Sequence, residues 1–170
     1  MIKSYIYILG IIGVVFCMSA LSFSQPLNNF KPGSEPEGFG DIKWGTDLST
    51  LRNMKFSRVD PSYGGTKIYI RTGVAPQIGE VELKNIEYLF WKGKFNGVSI
   101  IMEGISEYKP FKETLFQVFG EGSKPHLDQE YCVWDGEVTL MALEYNPVGE
   151  RVLFWMMGKT ILKQMESEDN

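Results

Sequence analysis

The side chains that could do chemistry are few, and the most tempting of them form the triplet Gly158-Lys159-Thr160. It follows a predicted strand and opens a predicted helix, as the end of a phosphate-binding loop does. That loop also requires a glycine five positions before Gly158, and this chain has Leu153 there. We therefore expect no nucleotide site, and we expect Thr160 to cap a helix after a glycine turn.

Metal and nucleophile chemistry lack the necessary side chains. His126 is the only histidine and lies in a polar loop near Asp128 and Glu130, whereas a zinc or transition-metal site needs further nitrogen or sulfur ligands. The two cysteines are Cys17 and Cys132. Cys132 stands in the apolar run YCVW, where a buried thiol is expected, and no serine lies in a nucleophile-elbow sequence. We predict no catalytic residue, no metal site and no cofactor.

Carboxylates are the remaining source of acid–base chemistry. Glu87, Glu103, Glu130 and Glu144 lie on predicted strands, and two glutamates that face each other across a sheet could hydrolyse glycans. The sequence does not distinguish such a pair from solvated surface charge, which is the more common role of glutamate. A carboxylate-dependent hydrolase acting on envelope polymer is therefore the alternative function, and a noncatalytic protein is favoured.

The strand and helix patterns place these residues on one antiparallel α+β domain. Two hairpins come first, a helix over residues 106 to 119 follows, and a three-stranded meander and a short helix complete the chain. This order contains no repeated strand-helix-strand crossover. We therefore expect an antiparallel β-sheet meander of about six to seven strands, with one main helix and short terminal helices packed mainly on one face.

Several predicted strands carry apolar residues on both faces. Tyr88 and Phe90 lie on one face while Leu89 and Trp91 lie on the other, and the run RVLFWMM has the same pattern. The predicted helices are too few to cover both faces. Either the sheet curls and buries this surface, or the surface is a dimer interface or a groove for a peptide, lipid or protein. The candidate binding surface comprises Tyr88, Phe90, Trp91, Phe95 and Trp155.

The N-terminal residues predict export. A cation and a long apolar run precede small polar residues that end at Ser24, which is the pattern of a secretory signal, so residues 1–24 are predicted to be a signal peptide. The alternatives are an inner-membrane anchor formed by residues 5–23 and lipidation at Cys17, although Phe16 stands where a lipobox has a small residue. Each alternative places the rest of the chain outside the cytoplasm, in the periplasm or the extracellular space.

The remaining chain is divided into a linker and one domain. Residues 25–38 contain three prolines and two glycines and predict a flexible linker, and residues 39–168 form the domain. The net charge is −4 and the cations are scattered among acids, which argues against a nucleic-acid partner. These observations predict an exported, noncatalytic module that binds an envelope protein, a peptide or a second copy of itself through an apolar sheet face, with membrane contact only through residues 5–23.

Four segments carry a family resemblance: FGDIKWGTDLSTL, IEYLFWKGKFNGVSI, FQVFGEG and VWDGEVTLMALEY. Together they resemble a family of small exported bacterial proteins of unknown function, over about residues 39 to 157. The matching positions are tryptophans, glycines and apolar residues of structural type, so the resemblance implies a fold and no catalytic residues. The short helical turn before the sheet is also similar to outer-membrane assembly lipoproteins of the BamE type and related inhibitor-like modules.

Overall fold

The computed structural model describes residues 28–61, 65–125 and 130–168, and within them seven strands form one antiparallel sheet. The predicted signal peptide and His126 lie outside the described residues. In chain order the strands are β1 Gly38–Phe39, β2 Ile42–Lys43, β3 Met54–Asp60, β4 Thr66–Arg71, β5 Gln77–Ile78, β6 Val81–Glu82, β7 Ile86–Trp91, β8 Lys94–Glu103, β9 Tyr131–Asp135, β10 Thr139–Asn146 and β11 Arg151–Gly158. A 3-10 turn spans Leu48–Thr50, helix α1 spans Ile105–Phe119, and helix α2 spans Lys159–Glu168.

The large sheet has the strand order β3-β4-β7-β8-β11-β10-β9, which confirms the predicted antiparallel α+β fold. Hairpins account for most neighbours. Lys92 and Gly93 both have positive φ angles, of 48° and 78°, and such a two-residue turn matches the twist of the strands it joins. The nonlocal step is the pairing of β8 with β11, where Phe154 lies opposite Ile100. It joins the two halves of the sheet.

Helix α1 covers one side of this sheet, which we call the helix face. Its buried side chains, Tyr108, Phe111, Leu115 and Phe119, recur at the spacing of one helical stripe. Phe111 meets Phe154 edge-on, with ring centroids 5.2 Å apart. Each fully buried large apolar side chain stabilises the fold by about 1.5–3 kcal/mol. One row of the helix face runs through Tyr88, Val98, Met156, Met141 and Trp134, all buried.

Helix α2 lies on the opposite side of the sheet, so the expectation that the helices pack mainly on one face is corrected. It packs Ile161 and Met165 on Trp91 in a small apolar cluster of its own. The reason is local. Because α2 starts directly after Gly158, the last residue of β11, the chain has no connection long enough to return to the face that α1 already covers.

The segment from residue 28 to 38 was predicted to be flexible linker, and the structure contradicts this. Phe30 is buried and meets Phe119 edge-on, with centroids 6.0 Å apart, and the Lys31 amide donates to the Phe119 carbonyl at 2.7 Å. Glu35 Oε1 accepts hydrogen bonds from the amides of Val138 and Thr139. Prolines and glycines here shape a segment that packs across the end of α1 and the β9–β10 turn. The domain therefore begins earlier than residue 39.

Candidate functional site

Most of the predicted binding surface lies in the core. Tyr88, Phe90 and Phe95 are at most 2 % exposed and belong to the cluster beneath α1, and Trp91 is 6 % exposed beneath α2. These four residues cannot contact an external ligand in this structure, which corrects the prediction for them. Trp155 is half-buried and lies on the side of the sheet opposite α1. It is the one member of the predicted set on accessible surface.

Trp155 belongs to a continuous apolar surface on that side, which we call the open face. From Val152 to Met157, strand β11 alternates between buried residues on the helix face and half-buried residues on the open face. The neighbouring strands continue the same rows, in which Gly97 and Ala142 are buried. The apolar residues of the open face around Trp155 include Leu89, Leu140, Leu153 and Met157, which are half-buried, Ile101, which is exposed, and Ile68 and Ala142, which are buried.

The open face is only partly covered because α2 is short. Ten helical residues extend about 15 Å, whereas the eight residues of β11 extend about 26 Å. Ile101, on the part of the face beyond α2, is 36 % exposed. The sheet does not curl into a barrel, because its terminal strands β3 and β9 do not pair with each other.

A groove of about 510 Å³ runs between α2 and this surface. Leu162 and Met165 of α2 form one wall, and Leu89, Trp155 and Met157 contribute to the floor. Such a concave, mostly apolar site with a few polar side chains at its margin is the usual form of a binding site.

The charged margin of the groove is mainly acidic. The charged residues that line it are Arg58, Asp60, Glu87 and Glu166. Arg58 donates to both carboxylate oxygens of Glu87, with Nη2 2.8 Å from Oε2. The Arg58 guanidinium is therefore already paired with Glu87.

Acid–base chemistry would require two facing carboxylates, and Glu87, Glu103 and Glu144 do not lie directly opposite one another in the strand register. Glu87 is paired with Arg58, Glu103 lies opposite Arg151 in the strand register, and Glu144 lies between Leu153 and Tyr131. Glycosidase carboxylates are about 5–9.5 Å apart. Glu87 and Glu144 share the open face but stand three strands apart, which corresponds to about 14 Å.

Glu130 belongs to a polar cluster that sequence reasoning missed. Its Oε2 accepts from Tyr108 Oη and from Lys112 Nζ, both at 2.6 Å. The hydrogen bond from Lys112 lowers the pKa of Glu130, and burial raises the pKa of Tyr108. The spacing of Tyr108 and Lys112 by one helical turn was visible in the sequence, but their partner on another element was not. These hydrogen bonds connect the residue that precedes β9 to helix α1.

The lysine of the triplet Gly158-Lys159-Thr160 has a structural role. Lys159 Nζ donates to Asp135 Oδ1 at 2.6 Å and to the Gly136 carbonyl at 2.7 Å. Gly158 is the last residue of β11, and a Cβ atom there would lie 2.7 Å from the Trp44 ring. The triplet thus joins β11 to α2 and the β9–β10 turn, and it forms no loop around an open anion site.

A second groove, of about 570 Å³, lies between the small hairpins and the C-terminal half of α1. Its wall includes the backbone of Gly38, Gly40 and Gly79, and its charged groups are engaged with neighbours: Asp41 pairs with Arg71, which lowers the pKa of the aspartate. Within the described residues, no three histidine, cysteine, aspartate or glutamate side chains gather as metal ligands. The open face is therefore the better candidate site.

No family model, curated protein or solved structure matches this chain. The resemblance to a family of small exported bacterial proteins, and the one to BamE-type lipoproteins, stay predictions. No helix among the described residues is both long enough and apolar enough to cross a membrane.

Proposed function

We propose that this protein is an exported, noncatalytic module that binds a protein, a peptide or a second copy of itself through the open face. The single observation that carries the proposal is that Trp155 and its strand neighbours Leu153 and Met157 are only half-buried, and line an open groove, in the isolated chain. A large exposed apolar patch usually marks a contact surface. Residues 1–24 support export, as a signal peptide or an anchor.

The carboxylate-dependent hydrolase is not proposed, because no observation favours it. Glu87 and Glu130 are engaged by cationic side chains, and Glu103 and Glu144 each lie opposite a residue other than a carboxylate. The site offers apolar contact area, and apolar contact area serves recognition.

A hydrophobic dye and a matched pair of variants test the proposal. The open-face variant is Ile101→Gln with Leu153→Gln, which are neighbours across β8 and β11. The control is Ile105→Gln with Val148→Gln, since these residues are 43 % and 96 % exposed and lie outside the open face. Circular dichroism and urea unfolding establish that both variants fold.

We expect the wild-type protein and the control to enhance the fluorescence of anilinonaphthalene sulfonate, and the open-face variant to lose at least about half of that enhancement. Sedimentation velocity on the same samples reports self-association through the face. A monomer that binds no dye, or equal dye binding by all three proteins, would remove the basis of the proposal.

A further inference from the structure

The two outer edges of the large sheet, formed by β3 and β9, differ in what covers them. The outer side of β9 is hydrogen-bonded within the chain: Ser123 and Val133 exchange amide-to-carbonyl bonds of 2.7 and 2.8 Å, and the Asn29 amide donates to the Asp135 carbonyl at 3.3 Å. Among the described residues, no segment pairs with the outer side of β3. The sheet therefore has one covered edge and one open edge.

We propose that β3 is a self-association site, at which a second copy of this chain adds its own β3 in antiparallel orientation and joins the two sheets into one. Residues 55–59 of this strand are all exposed. A row of backbone amides and carbonyls at an exposed sheet edge is a template for another strand. The site is the edge of the sheet and not the open face, so the inference goes beyond the proposed function and does not depend on it.

A β-bulge places two apolar side chains of β3 on the same face. The pairing of β3 with β4 shifts after Phe56, which leaves Ser57 as an extra residue. Through β4, Phe56 is in line with Tyr88 and Val59 is in line with Phe90, and both of those core residues belong to the helix face. Phe56 and Val59 therefore share the helix face, where they are 51 % and 50 % exposed.

The backbone of the same two residues points to the outer side of β3. The Thr72 amide donates at 3.1 Å to the carbonyl of the residue that precedes β3. Backbone groups of successive residues in an antiparallel pair alternate between the two sides of a strand. Tyr69 and Lys67 are an odd number of residues before Thr72, so their backbone groups point away from β3. Phe56 and Val59, which lie opposite them, therefore direct their amides and carbonyls outward.

Two copies of this strand are complementary in one two-fold register. When Phe56 of each copy lies opposite Val59 of the other, the outward amides and carbonyls form hydrogen-bonded pairs. The axis is perpendicular to the sheet, so the helix faces of both copies lie on the same side and the two apolar side chains meet there. Pairs of an aromatic and a β-branched residue across neighbouring strands stabilise a sheet. Because β3 complements itself, a second copy is favoured over an unrelated extended peptide.

The charges of β3 are compatible with this register. Lys55 of one copy lies opposite Asp60 of the other, and Arg58 lies opposite Ser57, so no two like charges meet. Asp60 also interacts with Arg58 of its own chain, and the register requires of it only that no like charge faces it. A register centred on Lys55 would instead place two ammonium groups opposite each other, which destabilises a sheet.

Sedimentation velocity tests the proposal on the protein purified as the cell produces it from the full-length gene. Two short strands form a small interface, so concentrations from about 1 to about 200 µM are compared. The edge variants are Val59→Pro, which removes an outward amide, and Val59→Lys, which places a charge opposite Phe56. The control is Val138→Lys, since Val138 is 40 % exposed and lies between β9 and β10. Circular dichroism and urea unfolding establish that the variants fold.

We expect the wild-type protein to dimerise as its concentration rises, and both edge variants to weaken the dimer at least about tenfold, because proline and lysine block pairing at sheet edges. The control and the open-face variant Ile101→Gln, Leu153→Gln should dimerise as the wild type does. Loss of the dimer in the edge variants with unchanged dye binding would show that the edge and the open face act separately.

Disulfide crosslinking tests the register. Residues of a hydrogen-bonded antiparallel pair have Cα atoms about 5.5 Å apart, a distance that a disulfide can span. An equimolar mixture of the Phe56→Cys and Val59→Cys proteins should form a covalent dimer at least about tenfold faster than either protein alone. The wild-type protein controls for Cys17 and Cys132.

Several outcomes overturn the inference. A wild-type protein that stays monomeric to about 200 µM would do so, and so would a dimer that both edge variants leave intact. Crosslinking as fast in either cysteine variant alone as in the mixture would contradict the register and with it the complementarity of β3. A dimer lost in the open-face variant and kept in the edge variants would refute this inference and support the proposed function.

Discussion

The variant Phe30→Ala tests whether the segment from residue 28 to 38 packs on the domain or is a flexible tether. Phe30 is 6 % exposed, and its ring packs edge-on against the ring of Phe119. Phenylalanine-to-alanine changes in protein cores cost about 3–5 kcal/mol, and loss of an edge-to-face pair accounts for about 0.5–1.5 kcal/mol of such a cost. Because Phe30 lies at the margin of the core, where the cavity can partly collapse, we expect the free energy of unfolding to fall by about 3 kcal/mol.

Urea unfolding measures this change. With a denaturant slope of about 2 kcal/mol per molar urea, the midpoint should fall by about 1.5 M with the slope unchanged. The control is Phe56→Ala, since Phe56 also meets another aromatic ring, Tyr69, but is 51 % exposed. The control should lose less than about 1 kcal/mol. A Phe30→Ala midpoint within about 0.2 M of wild type, or equal losses in both variants, would show that the segment is a tether after all.

Three further predictions follow from polar and buried groups. Lys159→Met should lower the free energy of unfolding by about 1–2 kcal/mol in thermal or urea denaturation, because Asp135 loses its ammonium partner. ATP should not shift the melting temperature of the wild-type protein or of this variant. The pKa of Glu130 is lower in the folded protein than in the unfolded chain. The ionised carboxylate of Glu130 therefore stabilises the fold at pH values above its unfolded pKa, and this stabilisation is lost as the pH falls through its folded pKa. Tyr108→Phe should therefore lose about 1 kcal/mol at pH 7 and less at pH 3, which unfolding curves at both pH values would check. Cys132 is fully buried and burial raises the pKa of its thiol, so a thiol reagent should label it at pH 8 only in urea, and rapid labelling of the native protein would contradict its position in the core.

Local signals predicted the elements of this fold well. The turn at Lys92-Gly93, the stripe of α1 and the meander of β9 to β11 each depend on residues that are close in sequence. Helix α1 begins at Ile105, one residue before its predicted start, and α2 begins at Lys159, so Thr160 lies inside that helix and does not cap it. Pro110 lies in the second turn of α1, which begins at Ile105.

The binding surface was predicted less well than the fold. The two faces of β11 differ in burial, but the side chains on both faces are apolar. The sequence of β11 therefore does not show which face a helix will cover. Trp155 was found because it is a large aromatic residue, and Tyr88, Phe90 and Phe95 were selected for the same reason although they pack beneath α1.

The amino-acid sequence by itself determined the kind of molecule: an antiparallel α+β domain that is short of reactive side chains, with its strands, turns and main helix in order. Those properties follow from spacing and composition, which act over a few residues. Tertiary structure alone decided that β11 lies beside β8, that Phe30 belongs to the core, and that α2 covers one end of the face opposite α1. These depend on contacts between residues far apart in the chain, where the buried area gained by one packing over another selects the partner.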